Sequence, residues 1–464
     1  MINGNHKIEW VKMVSRRHSV FRIDLLDRGT AARVREMWGV EYGNQMFYSS
    51  PEINAWYCDK SRIAGLGDFI LNKVKNEKGF VDKIALATEK SCLNLVKIAA
   101  QISSGNLKKL SNRQLALRLE KYIKAHYDFC AYFDVSNSIK DIGTQQIKDG
   151  LWRLLKAGGD QTLINDYVEA LLKSEKIPLT NQEQIDLRKI APEDAAALEK
   201  HVKKYEWLSV YNPDDASLPP SYFQDRIKQS AEDKLVAKQL KKLATSNDLQ
   251  RVIRLMKKYV YLHTFRAEML SKSYFLLKPF LSEIATRWEM DLATVCAMTA
   301  PEIVDALVSD ILPDFDEINR RKISYLHLMK NGVINIYSSK TAQELFLKEI
   351  GADKEQTPGT QISGTVVSQG LAQGRVCLIL DKKDLGKIKS GEILVAAMTS
   401  PDYVSAIQRS GAVVTDEGGL LCHAAIICRE MGKPCVVGTK NATLVLKNGD
   451  LIKVDAIDGK VIKL

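Results

Sequence analysis

The chain has 464 residues, of which 45% are hydrophobic and 27% are charged. These values exclude a single small module, a wholly disordered chain and a fibrous repeat, and at about 150 residues per domain they predict two to four domains. The formal net charge of +11 permits contact with nucleic acid, an anionic membrane or phosphorylated small molecules. Because the basic residues are spread along the chain and form no basic arm, charge alone does not select among these partners.

The first residues, the hydropathy and the cysteines together predict where in the cell the protein resides. The first nine residues lack the apolar core of a signal peptide, and no run approaches the roughly 18 apolar residues of a membrane span. The 8 cysteines are scattered and include no C-x-x-C pair, which is typical of reduced thiols. We therefore expect a cytoplasmic protein with no membrane contact.

The long region before residue 350 has a helical pattern. Residues 1–60 are less regular and predict a small mixed segment with short strands at 7–14 and 20–26. Over 61–350, apolar residues recur at three- and four-residue spacing, which predicts a helical domain. Its predicted helices are 107–141, 160–172, 193–205, 225–243, 246–268, 271–288, 291–298 and 299–308; the last opens with the capping sequence TAPE.

Composition changes near residue 358. Nearly half of the 27 glycines lie in residues 360–464, and residues 351–360 form a polar run with Pro and Gly that predicts a hinge linker. Residues 361–464 then predict a compact α/β module, which makes the chain a multidomain α and α/β protein. Its predicted strands are 364–368, 375–380, 393–396, 412–415, 435–438, 451–455 and 460–464, and its predicted helices are 401–409 and 423–430.

One histidine in this module has a favourable setting for chemistry. The sequence GGLLCHAA at residues 418–425 places Gly418 and Gly419 before Cys422, and His423 at the start of a small-residue helix. Glycine lets backbone N–H groups approach an anion, and the helix N-terminus stabilises negative charge. A neutral imidazole nitrogen is nucleophilic near pH 7 and can carry a phosphoryl group. An isolated histidine in such a short motif more often only caps the helix or packs in a core.

A zinc site is a further alternative. Cys422, His423, Cys428 and Cys435 lie close in sequence, but an adjacent Cys and His do not have the usual ligand spacing. We expect no bound metal in this chain, and Cys422 as a small neighbour that supports His423.

Residues 364–464 resemble the phosphohistidine, or PEP-utilising mobile, domain of phosphoenolpyruvate synthase, pyruvate phosphate dikinase and rifampicin phosphotransferase. Four segments carry the resemblance in the expected order: Gly364 with SQGLAQGR at 368–375, MTSPD at 398–402, GGLLCHAA at 418–425 and REMGKPCVVG at 429–438. The resemblance implies that His423 is phosphorylated and that the domain swivels about the linker 351–360 between a charging and a discharging site.

The same resemblance suggests residues that position the phosphoryl group. Gly418, Gly419, Cys422, Thr399 and Ser400 are the candidates. Ser400 is as well explained as the N-cap of the helix that follows it. Arg429 either pairs with phosphate or contacts Glu430 and solvent.

The helical region is more weakly similar to the central helical part of these phosphotransferases. The similarity lies in KHVKKYEWL at 200–208, YLHTFR at 261–266 and INRR at 318–321. In rifampicin phosphotransferase this part binds the hydroxyl-bearing acceptor, which makes His201, His263 and Arg266 candidates for an acceptor pocket. Hydrogen bonding between helices or at the surface is the alternative for each of them.

The resemblance also leaves parts of the family pattern unmatched. Residues 1–350 contain neither the glycine-rich loops nor the strand-rich block of an ATP-grasp domain. We also expect the barrel that binds pyruvate or PEP in the family to be missing. We therefore expect a phosphotransferase whose donor is ATP and Mg²⁺ bound by a separate ATP-grasp subunit, or else PEP, and whose acceptor is a small molecule. A phosphocarrier that relays the group to a protein partner is the alternative, and nucleic acid is not needed as a partner.

Overall fold

The computed structural model describes residues 8–14, 16–40, 43–51, 53–155, 164, 167–168, 171–172, 176–191, 193–229, 246–350, 361–380, 382–399, 403–419 and 422–464. The chain separates into two compact units. The first comprises Met1–Glu9, His18–Phe47 and Cys58–Ala342, and the second comprises Trp10–Arg17, Tyr48–Tyr57 and Gln343–Leu464.

The first unit is mainly helical. Its helices are α1 (Val20–Trp38), α2 (Lys60–Asn76), α3 (Phe80–Ile102), α4 (Asn112–Leu155), α5 (Leu179–Leu187), α6 (Ala195–Tyr205), α7 (Pro220–Gln229), α8 (Asn247–Arg287), α9 (Leu292–Cys296), α10 (Ala300–Ser309) and α11 (Phe315–Ile323). Short 3₁₀ turns lie at Leu107–Lys109 and Glu206–Ser209. The apolar faces of α2, α3, α4 and α8 share one core, in which Ile70, Ile84 and Met256 are buried. None of the described helices combines the length and the hydropathy needed to cross a bilayer.

Most of the predicted helices are present, with different bounds. The two predicted at 246–268 and 271–288 form the single helix α8, which Ser246 caps and which contains Pro279. Helix α10 has the predicted capping box between Thr299 and Glu302. Much of the predicted helices 160–172 and 225–243 lies outside the described residues, as does the predicted linker 351–360.

The strand predicted at 20–26 is wrong, because these residues form the first two turns of α1. Ser19 caps the helix by accepting a hydrogen bond from the backbone N–H of Arg22. Arg22 and Asp24 alternate with apolar residues, which is a strand pattern. Every residue from Val20 to Asp27 is buried, so the polar positions do not mark an exposed face of the helix.

A five-stranded sheet was not predicted in full. Its strands are β1 (Trp10–Val14), β2 (Gln45–Ser49), β3 (Asn54–Asp59), β4 (Tyr325–Lys330) and β5 (Val333–Ser338), in the order β1-β3-β2-β4-β5. Strand β1 matches the predicted strand 7–14. Strands β4 and β5 form an antiparallel hairpin whose turn, Asn331-Gly332, has positive φ at both residues. An Asn-Gly turn between apolar runs is a recognised hairpin signal, so the sequence contained the information.

A charged cluster is buried beside this hairpin. His327 on β4 lies between two aspartates of α1, with Nδ1 2.9 Å from Asp27 and Nε2 3.5 Å from Asp24, and all three side chains are inaccessible to solvent. Burial alone would lower the pKa of His327, but the two carboxylates outweigh it and raise the pKa to about 9. The imidazole is therefore held as a cation.

The second unit contains the predicted α/β module. The strands are β6 (Gln361–Ser363), β7 (Thr365–Ser368), β8 (Leu371–Ile379), β9 (Ile393–Ala396), β10 (Ala412–Thr415), β11 (Cys435–Val437), β12 (Leu451–Asp455) and β13 (Lys460–Lys463). The helices are α12 (Ser339–Ile350), which precedes the module, α13 (Val404–Arg409), α14 (His423–Glu430) and α15 (Ala442–Val445), with a 3₁₀ turn at Lys382–Lys387.

These strands form one eight-stranded sheet in the order β6-β13-β12-β8-β9-β10-β11-β7. Strands β8 to β11 are parallel to one another, and successive residues face opposite sides, so Leu394 and Ile393 belong to different apolar cores. A central parallel sheet buried on both faces explains the continuous apolar runs that predicted these strands. The multidomain α and α/β fold class is thus confirmed.

Candidate functional site

His423 is the first residue of α14, which follows the parallel strand β10. Cys422 is the N-cap; its backbone is extended and its side chain makes no capping hydrogen bond. The imidazole is half-buried. It therefore lies at a helix end whose first N–H groups have no intrahelical partners and favour an anion.

Thr399 reaches this histidine from the neighbouring strand. Strands β9 and β10 are parallel, so the loops that leave their carboxyl ends meet at one edge of the sheet. Thr399 lies in the first loop and is 9% exposed, and its Oγ1 is 3.0 Å from Nδ1 of His423. The structure brings together these two predicted site residues, which are 24 positions apart in sequence.

The glycine pair lies between β10 and α14. Gly418 has φ of +123°, and a Cβ placed on it would lie 2.8 Å from Sγ of Cys422. Gly419 differs, because a Cβ there would meet no atom within 4 Å. Only the first glycine of the pair is required by the backbone and by the space around it.

Asp416 fixes the start of the same loop, and the sequence analysis did not single it out. Its backbone N–H donates to the carbonyl of Ala396 at 3.2 Å, which ties the loop to the end of β9. Its buried carboxylate accepts hydrogen bonds from the backbone N–H and the hydroxyl of Thr443, at the start of α15. The signal available in the sequence was an aspartate between the apolar run of β10 and the glycine pair.

Two thiols near the site, those of Cys428 and Cys435, pack in one apolar core. Cys428 is buried on the inner face of α14, and Cys435 is buried on β11. A hydrogen bond with Cys428, together with burial, raises the pKa of the Cys435 thiol well above its usual value. No group of three or more His, Cys, Asp or Glu side chains within the described ranges is placed to hold a metal ion.

Ser400 and Arg429 are the other two residues that the sequence analysis considered for the phosphoryl group. Ser400 lies outside the described residues, so its role stays a prediction. Arg429 is exposed near the opposite end of α14 from His423, next to the exposed Glu430.

His201, the first acceptor candidate, is 5% exposed on α6. Its Nε2 lies 3.0 Å from the Glu183 carboxylate, which also accepts a hydrogen bond from Arg226 at 2.8 Å. Its ring contacts those of Tyr205 and Phe223. These contacts tie α5, α6 and α7 together.

His263 and Arg266 lie one turn apart on α8. Nδ1 of His263 is 3.0 Å from the hydroxyl of Tyr259 and 2.9 Å from Nη2 of Arg266. The Arg266 guanidinium is buried and lies 3.8 Å from the centre of the Phe133 ring. The structure thus places these two candidates in one network.

Two cavities open in the helical unit. One of about 460 Å³ is lined by Ala100 of α3, by Ser103 just after it and by residues of α8, namely Phe275, Leu276, Lys278, Pro279 and Ser282. The other, of about 20 Å³, touches Tyr259 and Leu262. Neither is lined by His201, His263 or Arg266, so the cavities do not by themselves favour these three residues as acceptor ligands.

The sequence matches known proteins in its C-terminal region. Residues 388–459 match the family model described as PEP-utilising enzyme, mobile domain. A probable phosphoenolpyruvate synthase of Archaeoglobus fulgidus is 42% identical over 137 residues, which are 29% of this chain and 18% of that protein. The phosphoenolpyruvate synthase of Pyrococcus furiosus is 41% identical over 143 residues, 30% of this chain and 18% of its own. A probable phosphoenolpyruvate synthase of Methanothermobacter thermautotrophicus is 51% identical over 100 residues, 22% of this chain and 15% of its own.

The matched region thus spans less than a fifth of the length of these relatives. Among solved structures, holo-form aconitase X of Thermococcus kodakaraensis covers 23% of this chain and 99% of its own, at 20% identity and a TM-score of 0.19, a likeness too slight to carry an argument. The family model and the sequence relatives agree on the region that contains His423 and its glycine pair. Residues 388–459 are therefore similar to the mobile domain of PEP-utilising enzymes, and this match includes His423.

Proposed function

We propose that this chain is a phosphohistidine-dependent phosphotransferase in which His423 is transiently phosphorylated and passes the group to a small-molecule acceptor. The observation that carries the proposal is the contact between Thr399 and Nδ1 of His423 at the N-terminus of α14. It combines a nucleophile, a group that orients it and a helix end suited to the charge of a phosphoryl group.

The Thr399 contact supports Nε2 as the reacting nitrogen. When Nδ1 carries the imidazole proton and donates it to Oγ1 of Thr399, the lone pair is on Nε2. The nucleophile is then Nε2, and Thr399 is a positioning residue for it.

Two displacements complete the reaction. In the first, Nε2 of His423 attacks the donor phosphorus; a P–N bond forms as the P–O bond to the donor breaks, and the electron pair leaves on the donor oxygen. In the second, an acceptor hydroxyl attacks the same phosphorus, the P–N bond breaks and its electron pair returns to Nε2. A base accepts the hydroxyl proton, and His263, which is half-buried, is our candidate; to act, its Nδ1 exchanges its contacts with Tyr259 and Arg266 for the acceptor hydroxyl.

The donor in this proposal is ATP with Mg²⁺, bound by a separate ATP-grasp subunit, or else PEP. Both fit a mobile domain of the PEP-utilising family. The relatives named phosphoenolpyruvate synthase are matched over only 18% of their length, so the donor and the partner are proposed and not carried over.

The experiment supplies labelled ATP or PEP to the full chain, with and without a candidate ATP-grasp protein. We expect acid-labile, base-stable label on the wild type and none on His423→Asn. The matched control is His263→Asn, which should accept label at the wild-type rate and discharge it slowly. Equal labelling of wild type and His423→Asn would contradict the site, and labelling from ATP by the purified chain alone would contradict the separate donor subunit.

A phosphocarrier is the second candidate. It is favoured by one observation, namely that His201 and Arg266 are buried among partners of their own and line neither described cavity. Incubating the phosphorylated chain with separate protein and small-molecule fractions distinguishes the two, because a carrier discharges only to the protein fraction.

A further inference from the structure

The N-terminal strand β1 and the residues that follow it contact both loops that supply the phosphohistidine site. On β1, Nζ of Lys12 lies 2.9 Å from the Asp416 carboxylate, in the loop that follows β10. Beyond the end of β1, Nη2 of Arg16 lies 3.1 Å from Sδ of Met398, which immediately precedes Thr399. Strand β1 belongs to the same compact unit as these loops, although 404 positions separate Lys12 from Asp416.

The Lys12–Asp416 pair is buried. The Lys12 side chain is 8% exposed and that of Asp416 is 0% exposed. A lysine side chain is almost never buried without a charged partner, because removing an ammonium from water is costly. The buried position of Lys12 therefore depends on its ion pair with Asp416.

A second strand of the same sheet approaches the carboxylate. Burial, together with the nearby charge of Asp416, raises the pKa of Tyr57 on β3 to about 12. The Tyr57 ring also contacts Phe346 of α12, and Phe346 stacks on Tyr48 with ring centres 4.3 Å apart. Ring contacts with α12 thus hold Tyr57 in place near Asp416.

We propose that β1 completes the phosphohistidine site, with Lys12 as a positioning residue that neutralises Asp416 and so holds the loop leading to Gly418 and His423. Asp416 connects that loop to β9 through its backbone and to α15 through its side chain. An unpaired charge at this buried junction favours rearrangement of the loop. Such a rearrangement moves the glycine pair that precedes His423.

The inference rests on the proposed function in one respect, that His423 accepts the phosphoryl group. Its test uses the full chain with Lys12→Met, which keeps the length of the side chain and removes the charge. The matched control is Lys463→Met: Lys463 pairs with Asp450 at 2.7 Å in the same unit, but its side chain is 35% exposed. Lys12→Arg preserves the charge, and Lys12→Met with Asp416→Asn removes both charges together.

Two readouts are measured on each variant, the rate of label incorporation at His423 and the hydrogen exchange of backbone amides in residues 412–422 and at Thr443. We expect Lys12→Met to slow labelling about tenfold or more and to speed exchange at these amides. Lys463→Met should match the wild type, and Lys12→Arg and the double variant should recover most of both properties.

The inference is overturned if Lys12→Met behaves as Lys463→Met does, or if the double variant is as impaired as the single one. If the wild type accepts no label from any donor, the proposed function fails. Hydrogen exchange then still decides whether Lys12 holds the loop.

Discussion

The two glycines before α14 differ in their surroundings, and substituting each by alanine tests why the loop contains them. Gly418→Ala would add a Cβ to a residue with φ of +123°, 2.8 Å from Sγ of Cys422. Gly419→Ala would add the same atom one position later, where no atom lies within 4 Å. The two variants have the same composition and differ only in backbone conformation and surroundings.

The expected cost at Gly418 has two parts. A non-glycine residue in this backbone region costs about 1 to 3 kcal/mol, and a forced side-chain contact costs a similar amount. The thiol of Cys422 is half-buried and can move partly aside, so we expect a total of about 2 to 4 kcal/mol. Gly419→Ala should change the stability by less than about 0.5 kcal/mol.

Hydrogen exchange measured by mass spectrometry is the appropriate assay, because it reports on the phosphohistidine domain separately from the helical unit. A loss of 2 to 4 kcal/mol raises the opening constant of amides in β10, β11 and α14 by about thirtyfold to a thousandfold. The reasoning is refuted if Gly418→Ala and Gly419→Ala exchange at the same rate.

Three further predictions concern single side chains. Thr399→Val removes one hydrogen bond of about 1 kcal/mol to His423 and should slow phosphorylation about fivefold, whereas Thr399→Ser should retain the wild-type rate; equal rates for the two variants would exclude the positioning role. The pKa of His327 is raised to about 9, so its contribution to the free energy of unfolding should be fully present below about pH 6.5. This contribution, about 3 kcal/mol, should be lost as the pH rises through 9. Urea unfolding at about pH 6 and pH 9.5 checks this loss, which should be absent in His327→Gln. Cys422 is half-buried and the other seven cysteines are buried, so iodoacetamide should alkylate Cys422 first and block labelling of His423; faster alkylation of a buried cysteine would contradict the packing.

Local sequence signals were sufficient for the C-terminal module. Strands such as β9 and β10 are continuous apolar runs bounded by glycine and polar residues, because a parallel sheet covered on both faces requires such runs. Helix α14 has its predicted bounds, since Cys422 and Gly432 flank a run of small and apolar residues. The position of His423 at a helix N-terminus was therefore predictable without the structure.

Other features depend on contacts that local patterns do not contain. The first turns of α1 are buried on every side, so their helical period is hidden. The contact between Thr399 and His423 follows from the parallel pairing of β9 and β10, which the sequence only suggests. The ion pair between Lys12 and Asp416 joins residues that are 404 positions apart. No local sequence pattern around either residue predicts this pairing.

The central claim is that His423 carries the phosphoryl group on Nε2. The most direct measurement is ³¹P and ¹⁵N NMR of the full chain after incubation with donor, read on protein labelled at its histidines. We predict one phosphohistidine, bonded through Nε2, that is absent in His423→Asn. A phosphoryl group on another histidine, or one bonded through Nδ1 of His423, would contradict the account.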